Sequence, residues 1–203
     1  MIEKKKTDNV PVIDPVWKSQ RGLMKRLPSY NLENADKILV EATEVITSLN
    51  LTPVLIGGTC LGLLRDHAWL LTDTDIDILA YEQDRITTDV TKQRVLFAEL
   101  LKREYIPHGF VDKNRNRWFW KYKLVLDLHI STTPKLFQHF QRLDKLVYKE
   151  KEYFTPFPVD RYLAQVYGAD WNIPKRRPDI LAVIAQAEKA AKKKTKEEEE
   201  KSE

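Results

Sequence analysis

Between Asn31 and Asn50 the apolar residues recur at helical spacing. Leu32, Ala35, Ile38, Leu39, Ala42, Val45, Ile46 and Leu49 fall on one face. The pattern predicts a first long helix, with Asn31 or Asn34 placed to cap it. Pro53 opens a short apolar run, Val54-Leu55-Ile56, that reads as a buried strand broken by Gly57-Gly58. A short helix from Thr59 to Asp66 is expected next. The period then changes to two over Asp75 to Tyr81, with Ile76, Ile78 and Ala80 on one face and Asp75, Asp77 and Leu79 on the other. Thr87 to Glu104 reads as a second amphipathic helix. Strand-like runs follow at 105–111, 117–122 and 124–130. The last two are nearly continuous, so they read equally as a hairpin or as one bent strand. The mixed pattern over 134–157 assigns no element. Val159 to Tyr167 is a short helix that Gly168 can end, and Asp179 to Ala191 is another. This order predicts an α+β chain with a mixed sheet flanked by helices and a helical extension at the C-terminal end. Its parts are an irregular basic arm (1–29), a core domain (30–178), and a last helix with a charged tail (179–203).

Size and charge narrow the picture. A length of 203 residues suits one domain. The net charge is +4, and residues 1–26 alone carry that surplus, with seven Lys or Arg against three Asp or Glu. The rest of the chain is neutral overall, so a protein-wide basic field for nucleic acid is not favoured. The arm reads as a solvated leader, with contact to anionic lipid or a partner as the alternative. The one cysteine, Cys60, allows no disulfide within the chain and reads as a small buried filler. No run is long and apolar enough for a membrane span, and the charged start has no signal region. The expected location is the cytoplasm, with peripheral contact at the inner membrane surface as a variant.

The candidate chemistry centres on Thr72-Asp73-Thr74-Asp75-Ile76-Asp77-Ile78. Carboxylates on alternate residues of a strand share a face, with α-carbons about 6.5–7 Å apart, and can converge on one hard cation such as Mg²⁺ or Mn²⁺. Asp75 and Asp77 suit that role; Asp73 joins them if the strand already begins there. A second strand, Leu124 to Ile130, puts Asp127 and His129 on the face opposite Leu124, Leu126, Leu128 and Ile130. An acid within so apolar a run needs a partner, either a metal or a buried cation. Asp127 is the candidate third ligand, and His129 a rim residue or a phosphate contact.

Two further segments carry candidates. Gly57, Gly58 and Thr59 lie where a strand enters a helix, so backbone N–H groups can approach a phosphate and Thr59 can cap the helix. Arg65, two turns on, is within reach of a phosphate or an acid. The strip Lys113 to Lys123 interleaves basic residues with Trp118, Phe119, Trp120 and Tyr122. It reads as a half-buried strand with a charged outer face, as an active-site wall with Lys121 or Lys123 on donor phosphate and aromatics on a sugar or base, or as a nucleic-acid surface.

In combination these motifs resemble the nucleotidyltransferase superfamily, and more narrowly its LicD/fukutin family. That family shows Gly-Thr-Leu-Leu-Gly-x-x-Arg followed by Ile-Pro-Trp-Asp-Asp-Asp-Ile-Asp. Here the stretches are Gly58-Thr59-Cys60-Leu61-Gly62-Leu63-Leu64-Arg65 and Leu70-Leu71-Thr72-Asp73-Thr74-Asp75-Ile76-Asp77. A third segment, Pro156-Phe157-Pro158, Tyr162-Leu163 and Tyr167-Gly168-Ala169-Asp170-Trp171-Asn172-Ile173-Pro174, is similar to the family's later motif. Thr72 and Thr74 stand where the family has Trp and its middle Asp. The resemblance spans roughly Val54 to Pro174. It implies a nucleotidyltransferase fold and a transferase that moves a phosphoryl-alcohol, of the phosphocholine or ribitol-phosphate type, from a CDP-linked donor to a glycan or teichoic-acid-like acceptor. It further implies that Asp75, Asp77 and Asp127 hold magnesium and that Asp127 helps deprotonate the acceptor. Trp171 and Arg161 read either as pocket lining or as a brace for the C-terminal helix. The alternatives are nucleotide addition to a protein, RNA or small molecule, and an inactive scaffold or nucleic-acid-binding module.

Overall fold

The computed structural model describes residues 32–70, 73, 75–111 and 116–174. The basic arm, the helix expected at Asp179–Ala191, the charged tail, Thr72 and Thr74 lie outside the described residues. The elements run α1 (Leu32–Ser48), β1 (Thr52–Leu55), α2 (Gly57–Arg65), β2 (Asp75–Tyr81), α3 (Val90–Lys102), β3 (Ile106–Val111), β4 (Asn116–Lys121), β5 (Leu124–His129), α4 (Pro134–Phe137), β6 (Leu143–Tyr148), β7 (Lys151–Pro156) and α5 (Val159–Tyr167). One 3₁₀ turn, Gln138–Phe140, follows α4. The expected α+β class, a mixed sheet flanked by helices, is the one observed.

All seven strands form one sheet in the order β3-β4-β5-β2-β1-β7-β6. β2 pairs in parallel with β5, and β1 in parallel with β7; the other neighbours are antiparallel. One face is apolar because the period-two pattern makes it so. Ile76, Ile78, Leu126 and Leu128 are fully buried there, and α1 lays Ala35, Ile38, Leu39, Ala42, Val45 and Ile46 toward that core. α3 packs beside α1, and its Phe97 meets Phe119 of β4 with ring centroids 5.7 Å apart. Helices α2 and α5 lie together on the other face.

The hairpin alternative for 117–130 is the correct one. β4 and β5 pair antiparallel across Tyr122-Lys123, both with positive φ (53° and 65°). The unassigned stretch 134–157 contains a second such hairpin, β6–β7, turning at Lys149-Glu150 with φ 48° and 64°. Two-residue turns of this hand favour Asn-Gly or Asp-Gly, and neither site carries one, so no turn signal marked them. α3 begins at Val90, three residues later than expected, because Asp89 caps it by accepting from Thr91 N–H at 2.8 Å. α1 is tied down by Asp36, which accepts from Trp69 Nε1 (2.9 Å) and the Tyr148 hydroxyl (3.1 Å).

Leu126 lies at the centre of the apolar face, between β2 and β4. Truncation to Ala should cost about 2–5 kcal/mol, read as a fall in the chemical-denaturation midpoint without a change in slope.

Candidate active site

The acids meet because β2 and β5 are adjacent and parallel. Asp77 is the direct cross-strand partner of Asp127, and Asp75 of Val125, so Asp75, Asp77 and Asp127 share the face opposite the apolar core. β2 begins at Asp75, and Asp73 lies before it; the Asp73 carboxylate nevertheless reaches the group. Asp73, Asp75 and Asp77 each offer an oxygen within 4.8 Å of the others, and so do Asp77, Asp127 and His129 with one ligand atom each. Asp77 belongs to both sets.

Helix α2 closes over this cluster, and here the glycines act differently from the sequence expectation. The Gly58 N–H donates to Asp77 Oδ2 at 2.8 Å, and the Gly57 N–H donates to the Tyr162 hydroxyl at 3.2 Å. Both amides are therefore engaged within the protein rather than left open for a phosphate. A Cβ at Gly57 would overlap the Asp77 carboxylate, and one at Gly58 would overlap that of Asp73. The glycines let two carboxylates approach the positive end of a helix; Gly57 also needs its positive φ of 54°. Thr59 does not cap α2: Ile56 holds the cap position, with no side-chain cap bond. Thr59 is buried, and its Oγ1 accepts from the Asp77 N–H at 2.9 Å, which locks β2 to the helix.

Three other expectations are corrected. Arg65 forms a bidentate pair with the adjacent Asp66 (both contacts 2.7 Å) and donates to the Trp171 carbonyl at 3.3 Å. It joins the end of α2 to the segment after α5 rather than serving the acids. Trp171 packs partly buried against the core, and its carbonyl accepts from Arg65. Lys121 lies on the opposite side of the sheet, paired with Glu41 of α1 (2.5 Å), because it shares its face with Phe119 and the core. Lys123 is exposed in the β4–β5 turn. Cys60 is the buried filler expected, its thiol pushed up to about 12 by burial.

His129 does join the site, with Nε2 3.4 Å from Asp127 Oδ2. Two tyrosines not singled out by the sequence reading also belong to it. Tyr162 holds Gly57, and Tyr167 lies close enough that Asp77 and Asp73 add to burial in raising its phenol well above the usual range. Their signal was the Tyr162-Leu163 and Tyr167-Gly168 motif itself.

The electrostatics are strained. Burial, and then the charge of Asp75, push the Asp77 carboxyl up to about 7; Asp127 adds to this, while His129 and the Gly58 N–H oppose it. For His129, burial works against the charge, but the hydrogen bond and charge of Asp127, with Asp77 and Asp75, outweigh it and raise the imidazole. Asp127 Oδ1 is buried with no hydrogen-bond partner among the described residues. A cluster of hard oxygen donors that includes an orphaned buried carboxylate oxygen fits a divalent cation.

Two predictions follow from this geometry. Asp77 and His129 both bind protons more tightly folded than unfolded, so their contribution to stability is present at low pH and lost as pH rises, for Asp77 through about 7 and for His129 through its raised value. In the presence of a chelator the melting temperature should therefore fall between pH 5 and pH 8, and Asp77→Asn should flatten that slope. Lys121→Ala should cost about 1–3 kcal/mol by leaving Glu41 without its partner, while leaving magnesium affinity, read by titration calorimetry, within about twofold of the wild type.

No protein-family model and no curated protein matches the chain. Among solved structures it is similar to the antibiotic-resistance factor ANT(2'')-Ia, at 12% identity over 81% of this chain and 98% of that one, with a TM-score of 0.42.

Proposed function

We propose that this chain is a metal-dependent transferase that moves a phosphorus-linked group from a nucleotide donor to a hydroxyl acceptor. The observation that carries this reading is the register of Asp77 opposite Asp127, with Asp75 two residues along the same face. Asp75, Asp77 and Asp127 would hold the cation. Magnesium or manganese, when bound, neutralises donor phosphates and the leaving group.

The protein's own groups divide the remaining work. Gly57, Gly58 and Thr59 set the position of Asp77 through the contacts already described. Tyr162 fixes the start of α2. Asp127 Oδ2 is held toward His129, while Oδ1 has no partner. Oδ1 is the oxygen left for the cation, and Oδ2, shared with His129, takes the proton of the acceptor hydroxyl. The acceptor oxygen then bonds to phosphorus as the bond from phosphorus to the departing phosphate oxygen breaks. Placement and charge supply most of the rate in such transfers.

The finer reading is a CDP-linked donor of the phosphocholine or ribitol-phosphate type, with a glycan-like acceptor and a nucleoside monophosphate as leaving group. It rests on the motif resemblance. Nucleotide addition, with pyrophosphate leaving, is the rival that the same site geometry allows.

The test is thermal stability in magnesium against CDP-choline, CDP-ribitol, CTP, ATP, GTP and UTP, with Asp75→Asn and Asp127→Asn alongside. A ligand at a hundredfold excess over its Kd adds about 2.7 kcal/mol to stability. Magnesium-dependent shifts confined to cytidine ligands and lost in both variants are expected. Shifts with ATP or with every triphosphate would favour nucleotide addition. No shift with any nucleotide, together with raised midpoints in both variants, would leave the acids as a scaffold without catalytic use.

A further inference from the structure

The sheet sorts the basic and aromatic residues of β4 onto opposite faces. Arg117 and Lys121 lie with Phe119 on the side covered by α1 and α3. The Arg117 guanidinium is 5.7 Å from the Phe97 ring centroid, and Lys121 pairs with Glu41. Trp118 and Trp120 emerge on the face that carries the acids. Trp118 is the direct cross-strand partner of Asp127, and Trp120 of Val125. Directly opposed residues have Cβ atoms about 4.5–5.5 Å apart, so the Trp118 indole rises immediately beside the Asp127 carboxylate. His108 of β3 braces both rings. It stacks on Trp118 at 6.3 Å with 12° between planes, and tilts against Trp120 at 4.9 Å. Both indoles are half-buried, so each keeps part of its surface open.

The acid cluster thus has two unlike flanks. On the Asp77 side stands the N-terminal end of α2, whose amides hold Asp77 and Tyr162. On the Asp127 side stands an aromatic surface, led by Trp118, from which the described cations of β4 are turned away. A π face is negative and attracts polarised C–H groups. A pyranose ring offers such C–H groups on its apolar face and hydroxyls at its edge. Seated on Trp118, it would bring an edge hydroxyl toward the Asp127 carboxylate. We propose that Trp118 and Trp120, braced by His108, form a subsite for a neutral, hydroxyl-rich ring of the sugar class, which serves as the acceptor. Its role as acceptor rests on the transferase reading; the ring site itself does not.

The test is saturation-transfer NMR on the full chain. The probes are methyl glycosides of glucose, galactose and N-acetylglucosamine, with cytidine and adenosine for comparison. At least one glycoside should receive saturation at its ring C–H protons. That signal should weaken roughly fivefold in Trp118→Leu, which keeps apolar bulk without a π face. It should survive in Trp118→Phe, while nucleoside signals stay the same in both variants. Should Trp118→Leu fail to fold by circular dichroism, His108→Ala, which removes only the brace, should weaken the glycoside signal about twofold. Nucleoside signals that depend on Trp118 would overturn the proposal and make the shelf a donor-base site. No glycoside signal, or one equal in all variants, would overturn it as well. Glycosides bound at Trp118 without any magnesium-dependent nucleotide shift would remove the transferase reading and leave the ring site. The converse would remove only the ring site.

Discussion

Asp77 is the residue through which the site is assembled. Its N–H donates to Thr59, its carboxylate accepts from Gly58, and its carbonyl accepts from Ile56 N–H at 3.3 Å. These bonds stitch β2 to the start of α2, while the parallel pairing of β2 with β5 sets Asp127 directly opposite. The cost of this placement is visible in the carboxyl itself, which burial and neighbouring charge drive up to about 7. Like charges so close destabilise one another unless a cation joins them. The apolar face behind, with Ile76, Ile78, Leu126 and Leu128 fully buried, holds the strands in register against that repulsion.

The glycine turn shows how one sequence feature can serve two chemistries. A Gly-Gly pair between a strand and a helix suggests backbone amides aimed at phosphate. In the folded chain those amides go to Asp77 and Tyr162, and the missing side chains make room for Asp73 and Asp77. The helix end thus receives the protein's own carboxylates. Tyr162 comes from α5, more than a hundred residues downstream, so the C-terminal motif reaches the start of α2 through its hydroxyl, with Tyr167 beside the acids. α5 is itself anchored by Asp144, which accepts from Val159 N–H at 3.1 Å where Pro158 offers no capping side chain.

The basic and aromatic strip of β4 separates in the same way. Along the chain its residues are interleaved and look like one mixed surface. Alternation across the sheet sends Lys121 and Arg117 to the helix-covered side and leaves Trp118 and Trp120 beside Asp127. A basic and aromatic nucleic-acid surface needs both residue types on the same side; β4 divides them.

The sequence by itself determined the elements whose signal is local. The 3.6-residue period of α1, the alternation in β2 and β5, the apolar run of β1 and the glycine stop after α5 were all legible, because burial of one face imposes a period on nearby residues. The candidate metal ligands were legible for the same reason, since alternation sets Asp75 and Asp77 together and isolates Asp127 within an apolar strand. The tertiary structure alone decided which strands are neighbours. That choice put Asp77 opposite Asp127 and Trp118 on the far side of Asp127, turned Lys121 toward Glu41, and brought Tyr162 and Tyr167 to the acids. The two hairpins, turning at Tyr122-Lys123 and Lys149-Glu150, belong with these. Their residues carry no intrinsic preference for positive φ, so strand pairing on either side, and not the turn, holds them in that conformation.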